Sequence, residues 1–211
     1  MTARFETFEG EICGFGTTSG HRIVVGRWSA SPFGRFADVM HEDPDGTRTL
    51  LAPNTQVADF VQGTYVFDAV RIVDVVTRRS AHGLQIEAGD LTADIEIGGR
   101  TTLGWTLHAL PTALARSRHW CASIDPLARV LLRGVRTRGT AGNGRHEWYG
   151  ATDRHRLTAV RASLGDTDLG AMADVWPPVR FGFSSTPRTP GIVAVTTTIR
   201  EAVASPADAT P

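Results

Sequence analysis

GRFADVMHEDPDGTRTLLA, residues 34–52, is the stretch that decides the fold class. From Gly34 to Glu42 the side chains alternate, with Phe36, Asp38 and Met40 on one face and Arg35, Ala37, Val39 and His41 on the other, the period of an extended strand. Asp43-Pro44-Asp45-Gly46 then supplies a proline whose fixed φ suits the first central position of a turn, and a glycine where the backbone needs positive φ. Thr47 to Ala52 returns as a second strand, so the stretch predicts a β-hairpin.

The same period recurs on both sides. Upstream, Arg4 to Glu11 and Arg22 to Ala30 read as strands joined through the small residues of GFGTTSGH. Downstream, Pro53-Asn54-Thr55 offers a helix start, with Val57, Phe60 and Val61 as a short apolar face. Ala69 to Thr77, Leu84 to Ala88 and Leu91 to Ile97 follow as strands. From Thr102 the period changes: Leu103, Leu107, Leu110 and Leu114 share one helical face, interrupted at Pro111. Asp125-Pro126 caps and starts a second helix, with Leu127, Val130 and Leu131 inward and Gly134 closing it. After this insertion, His146 to Thr152, Arg154 to Leu164, Val179 to Ser184 and Ile192 to Arg200 alternate again.

The expected fold class is therefore mainly β (α+β). About ten strands imply an antiparallel sheet that curls or closes into a β-barrel, because a long open sheet exposes apolar edges. One domain spans residues 1–201 with a helical insertion around 102–133, and residues 202–211 form a disordered tail.

Composition narrows the function. Of 211 residues, 41% are hydrophobic and 21% charged, the make-up of a soluble globular domain that builds its own core. No apolar run reaches the ~18 residues of a membrane span, and MTARFETFEGE lacks the basic-then-apolar order of a signal peptide, so the expected address is the cytoplasm. Two cysteines, Cys13 and Cys121, supply neither a disulfide framework nor a cysteine-type zinc site. All 22 of the Lys+Arg residues are arginine. A GC-rich genome explains that bias, and its consequence holds whatever the cause: Schiff-base catalysis, a lysine-anchored pyridoxal phosphate and a P-loop lysine are excluded.

The net charge of zero hides an asymmetry. Residues 116–161 carry ten arginines against three acids, a net +7, and the rest of the chain carries the matching −7. Either the two faces pair within the molecule, or the basic stretch attracts an anion such as a carboxylate, a phosphate or a lipid headgroup.

Several motifs carry no chemistry. GFGTTSGH and GTAGNG (residues 139–144) join extended segments and read as turns, not phosphate loops. His41-Glu42-Asp43 and His146-Glu147 are neighbours that point to opposite faces of a strand, so no metal site is expected. No G-x-S-x-G occurs, and no cofactor is expected. Nucleic acid fits poorly, because the charge balances overall and the aromatics are not interleaved with the arginines.

Two acids and one cluster stand out. Asp38 lies between Phe36 and Met40, and Asp74 among Val70, Ile72 and Val76, so alternation buries both; each is a pocket acid/base or half of an internal Asp–Arg pair. Strand parity also places Arg136 and Arg138 together, His146 with Trp148, and Arg154 with Arg156. If the glycine turn pairs these strands, Arg136, Arg138, His146, Trp148 and Arg154 line one wall suited to an anion with an apolar body. The opposing reading is a solvated outer face with Trp148 turned into the core. The helical stripe of Trp105, Leu107, Leu110, Leu114 and Trp120 beside Arg116, Arg118, Arg129 and Arg133 is either core or a peripheral membrane contact.

The combination FGTTSGHRIVVGRW, SPFGRFADVM, RHEWYGATDRHR and RFGFSST resembles an uncharacterised family of proteins from high-GC bacteria over nearly the whole chain, which implies no activity. In strand count and length the chain also resembles the acetoacetate-decarboxylase barrel. That resemblance implies a barrel holding a small carboxylate. The family's Schiff-base lysine has no counterpart here, so its catalytic role passes to no position.

The expected function is a cofactor-free β-barrel that binds a small apolar anion, carboxylate or phosphate. The alternatives are a cofactor-free lyase or isomerase with Asp38 or His146 as acid/base, and a structural or partner-binding protein with a filled core. A homo-oligomer is compatible with each.

Overall fold

The computed structural model describes residues 5–111, 138–140, 145–182 and 186–200. Among these are thirteen strands: β1 (Phe5–Thr17), β2 (Arg22–Ala30), β3 (Phe36–Glu42), β4 (Arg48–Ala52), β5 (Ala69–Ile72), β6 (Val75–Arg79), β7 (Gly83–Ala88), β8 (Leu91–Arg100), β9 (Arg138–Thr140), β10 (His146–Leu164), β11 (Thr167–Asp168), β12 (Met172–Ala173) and β13 (Gly191–Arg200). Two helices accompany them, α1 (Thr55–Gln62) and α2 (Thr102–His108).

The predicted hairpin is present. β3 and β4 pair antiparallel around a turn in which Gly46 takes φ 90°, Gly46 N–H donates to the Asp43 carbonyl at 3.0 Å, and Thr47 N–H donates to Asp43 Oδ1 at 2.9 Å. From this hairpin the sheet runs in the order β5-β4-β3-β2-β1-β13-β10-β8-β7-β6. β4 and β5 are parallel and the other pairs antiparallel, and the mixed sheet curls into a half-barrel. Its two end strands, β5 and β6, are separated in sequence by only Val73 and Asp74, so the chain ties one edge of the sheet to the other.

That tie corrects one expectation. The single strand predicted over 69–77 is two strands on opposite edges, and Asp74, expected to be buried, is exposed in the link between them. All four residues of β5 are exposed as well. Alternation marks a strand but does not report whether anything covers its apolar side.

Both faces of the sheet are packed. Cys13, Phe15, Val25 and Val39 from the β1–β4 half meet Leu84, Ile86, Leu91, Ile95 and Leu157 from the other half, filling the curl. On the opposite face α1 lays Val57, Ala58 and Val61 against Leu50 and Ala52. Burying each Leu or Val side chain contributes about 1.5–3 kcal/mol. The helix starts where the sequence placed it: Val57 N–H donates to the Asn54 side chain at 2.9 Å. Farther along this face Val175, Val179 and Phe181 cover Val24.

The remaining differences have local causes. β1 continues through Gly14-Phe15-Gly16-Thr17, paired with β2 as far as Gly16, and the two glycines admit the close approach of Thr186 and of the Asp174 carbonyl, which a methyl group would block. The two strands predicted at 146–152 and 154–164 are one, β10, with its register shifted between Ala151 and Asp153. The strand predicted at 179–184 does not form over Val179–Phe181, because Arg180 N–H and Nε donate to the Glu42 carboxylate at 2.8 and 2.9 Å in place of a neighbouring strand; Ser184 lies outside the described residues. Of the helical insertion, α2 forms behind its Thr101 cap. Residues 112–133 and the tail at 202–211 lie outside the described residues. No helix among the described residues is long and apolar enough to cross a membrane.

Candidate functional site

Residues opposed across a ladder share a face, so the register builds the site directly. Glu6 on β1, Ile199 on β13 and Glu147 on β10 form one row, and Phe8, Thr197 and Tyr149 the next. β2 and β3 extend this face with Trp28 opposite Phe36 and Gly26 opposite Asp38. Helix α1 and the turn behind it bring Phe60, Thr64 and Tyr65 over the strands. The result is a cup of aromatic rings around buried acids.

Glu147 is fully buried. The Tyr65 hydroxyl lies 3.1 and 3.2 Å from its two carboxyl oxygens and 2.6 Å from the Tyr149 hydroxyl, and Tyr149 also hydrogen-bonds Glu147. Burial pushes the carboxyl up to about 8, against the lowering effects of Tyr65, Arg145 and Tyr149. Burial likewise raises both phenols well above their ordinary value, with the Glu147 charge adding to it. At neutral pH the cluster therefore holds a protonated carboxyl and two phenols, all able to donate.

Asp38 is 2% exposed, where strand alternation placed it. Its partner is Trp28, whose indole N–H donates to Oδ1 at 3.0 Å; among the described residues no arginine pairs with it. Burial pushes it up to about 7, countered only in part by the indole. Gly26 makes the pair possible, since a Cβ there would lie 2.6 Å from Asp38 Oδ1 and 2.8 Å from Trp28 Nε1.

The wall is aromatic and partly buried. Phe8 packs on Trp28, Phe33, Phe36 and Phe60 with ring centroids 5.2–6.5 Å apart. Phe8 is buried, whereas Trp28, Phe33, Phe36, Phe60, Tyr65 and Tyr149 are half-buried, so the rings edge a surface instead of sealing a core. At the rim the Arg145 guanidinium lies 4.5 Å over Phe60 and donates to the Phe60 carbonyl at 3.0 Å and to Thr64 Oγ1 at 2.7 Å.

The expected arginine–histidine–tryptophan wall is divided. His146 and Trp148 alternate to the face opposite Glu147 and Tyr149, where Trp148 lies 6.3 Å from His146 and 6.4 Å from Phe5. Arg154 does not join them: the extra residue between Ala151 and Asp153 inverts strand parity and turns Arg154 to the cup's face, beside Val193, with Nη2 donating to the Thr189 carbonyl at 3.2 Å. Arg138 pairs opposite Trp148 through its backbone, and Arg136 lies outside the described residues. On the His146 face an open groove of about 280 Å³ is lined by Glu9, Glu11, Arg27 and Thr196, with Glu11 shared by Arg27 at 3.2 Å and Arg79 at 3.3 Å. Among the described residues no three His, Cys, Asp or Glu side chains gather into a metal-holding group.

Glu147 and Tyr65 are among the site residues that sequence reasoning missed, with Tyr149, Arg145 and Trp28. A signal existed for the first, since parity puts Glu147 and Tyr149 on one face just as it puts His146 and Trp148 on the other. None existed for Tyr65.

No protein-family model matches the chain. No curated protein matches it. Its structure is similar to that of acetoacetate decarboxylase from Legionella pneumophila subsp. pneumophila str. Philadelphia 1, over 95% of this chain and 87% of that chain, with 10% sequence identity and a TM-score of 0.42. A likeness this distant carries no residue role to the cup.

Proposed function

We propose that the protein binds a small molecule with an apolar body and an acidic head, and that the cup is its site. The observation that carries this reading is the Tyr65–Tyr149–Glu147 cluster at the foot of a partly buried aromatic wall, an apolar surface on which a few polar groups converge. The rings take the body. The phenols and the protonated carboxyl donate hydrogen bonds to the head, and Arg145 supplies the positive charge at the rim. These residues replace His146 and Trp148 as the assigned contacts, because those two point away from the acids.

Thermal-shift measurements with phenylacetate and phenylacetamide test it. The acid raises the melting midpoint and the amide does not, since ligand at a hundred times its Kd stabilises the native state by about 2.7 kcal/mol. Arg145→Gln weakens the effect. Equal shifts from acid and amide, or no shift from either, overturn the proposal and leave the structural, partner-binding reading.

A second reading, a cofactor-free lyase or isomerase, is favoured by Asp38. A carboxyl brought near 7 by burial is matched to moving protons at neutral pH. Asp38→Asn then retains ligand affinity and loses turnover; unchanged turnover rejects the reading.

A further inference from the structure

We propose that the acid this cup accepts is a 2-hydroxy acid with an apolar body, and that the Thr197 hydroxyl recognises the hydroxyl beside its carboxyl. The inference rests on the cup being a ligand site. It adds the ligand class and the residue that sets it.

Thr197 lies on β13 with Phe8 of β1 on one side and Tyr149 of β10 on the other, each directly opposite it across its ladder. Residues paired in this way share a face, with Cβ atoms about 4.5–5.5 Å apart. Thr197 is 3% exposed, and its Oγ1 is buried without a hydrogen-bond partner among the described residues. Thr152, on the neighbouring strand, differs: its hydroxyl donates to the Ala194 carbonyl at 3.3 Å. Arg22 and Arg79 also bury an Nε without a hydrogen bond, but their guanidiniums are ion-paired with Glu42 and Glu11. The Thr197 side chain has a single polar atom, so nothing else in it makes up the loss. A buried hydroxyl in that state costs free energy that a ligand group able to hydrogen-bond it returns.

The order across the row fixes where that group sits on the ligand. Phe8 belongs to the aromatic wall, its ring 5.2 Å from that of Phe60. Tyr149 belongs to the acidic cluster, its hydroxyl 2.6 Å from that of Tyr65, and its half-buried side chain carries the row to the surface of the cup. A ligand with its body on the wall and its carboxyl at the cluster therefore holds over Thr197 the carbon that joins the two. A hydroxyl on that carbon is the group Thr197 meets, and because Thr197 both donates and accepts, the pair forms in either sense. The wall and the cluster fix two of the substituents of that carbon, so only one configuration aims its hydroxyl at the sheet.

The test titrates the full chain by calorimetry with the two enantiomers of mandelate and with phenylacetate, which lacks the hydroxyl. One enantiomer binds about tenfold more tightly than its mirror image and than phenylacetate, the weight of one hydrogen bond to a group otherwise left unpaired. Thr197→Val, close in shape, brings the Kd values to within about twofold of one another, and Thr197→Ser keeps the preference. The valine variant melts no lower than the wild type, since it removes a hydroxyl that has no partner in the free chain. A lower melting midpoint, or failure of this variant to fold, shows that the hydroxyl is bonded without ligand and overturns the inference. A preference that survives Thr197→Val overturns it too. Equal binding of mandelate and phenylacetate by the wild-type chain removes this inference and leaves the cup as a site for apolar acids; no binding of either removes both.

Discussion

The Tyr65 hydroxyl lies 3.1 Å from Glu147 Oε1, joining the turn behind α1 to a strand 82 residues farther along the chain. This contact closes the cup, because it sets a phenol above a carboxyl that has no exposure to water. Burial keeps the proton on this acid up to about 8, outweighing the hydrogen bonds of Tyr65 and Tyr149 and the charge of Arg145.

Tyr65→Phe removes a donor and nothing else of size. It destabilises the fold by about 1–3 kcal/mol, the cost of leaving a buried acceptor short of a partner, as urea denaturation will read. It also raises the Glu147 pKa further, since the Tyr65 hydrogen bond lowers it. Titration of the carboxyl by carbon NMR checks the direction; a lowered value refutes the stated role of the phenol.

Asp38 and Glu147 make stability fall as pH rises from about 6.5 to about 8, above the range over which His41, held by burial to about 4, contributes the opposite slope. Asp38 and Glu147 have folded-state pKa values of about 7 and about 8, above their ordinary 3.8 and 4.5, so over this range the folded chain holds protons the unfolded chain has released. Their stabilising contribution is full below the ordinary values and is lost as pH climbs through the folded ones. Urea midpoints at pH 6.5 and pH 8.5, above the range in which His41 contributes, compare the two ends. The double variant Asp38→Asn, Glu147→Gln flattens this dependence.

Gly26→Ala separates Trp28 from Asp38. The added methyl occupies the space of both hydrogen-bonding atoms, so the strands or the indole must shift, at a cost of about 1–3 kcal/mol. Tryptophan fluorescence changes with it. A variant with wild-type stability and emission contradicts the close packing at this pair.

Glu42 and Arg180 form one ion pair with unequal ends. The Glu42 side chain is wholly buried, and Arg22 and Arg180 approach it at 3.4 and 2.9 Å, whereas the Arg180 side chain is 65% exposed. Glu42→Gln leaves the buried Arg22 without its charge partner and costs about 3–5 kcal/mol. Arg180→Ala costs about 1 kcal/mol or less from the ion pair itself. Equal losses in denaturation experiments are incompatible with this asymmetry.

Much of the scaffold was legible in the sequence. Asp43-Pro44-Asp45-Gly46 and Asn54 act within a few residues of themselves, so the turn and the helix cap form where local chemistry puts them. Asp38 was legible as a buried acid because its strand keeps an unbroken period of two. Asp74 was not, because the same period runs through the link between two sheet edges, where Asp74 points to solvent. Arg154 was placed on the wrong face because one extra residue in β10 inverts the parity beyond it, and such a bulge leaves no mark in the order of polar and apolar residues.

By itself the sequence determined a β-rich chain, the hairpin at its centre, and the absence of any lysine chemistry, all of which follow from single residues or from their near neighbours. Only the tertiary structure decided that β5 and β6 are the two ends of one curled sheet, and that Tyr65 comes to rest on Glu147. The reason is physical: alternation says which residues share a side of a strand, whereas the curl and the strand order decide which sides face one another, and those depend on contacts between segments far apart in the chain.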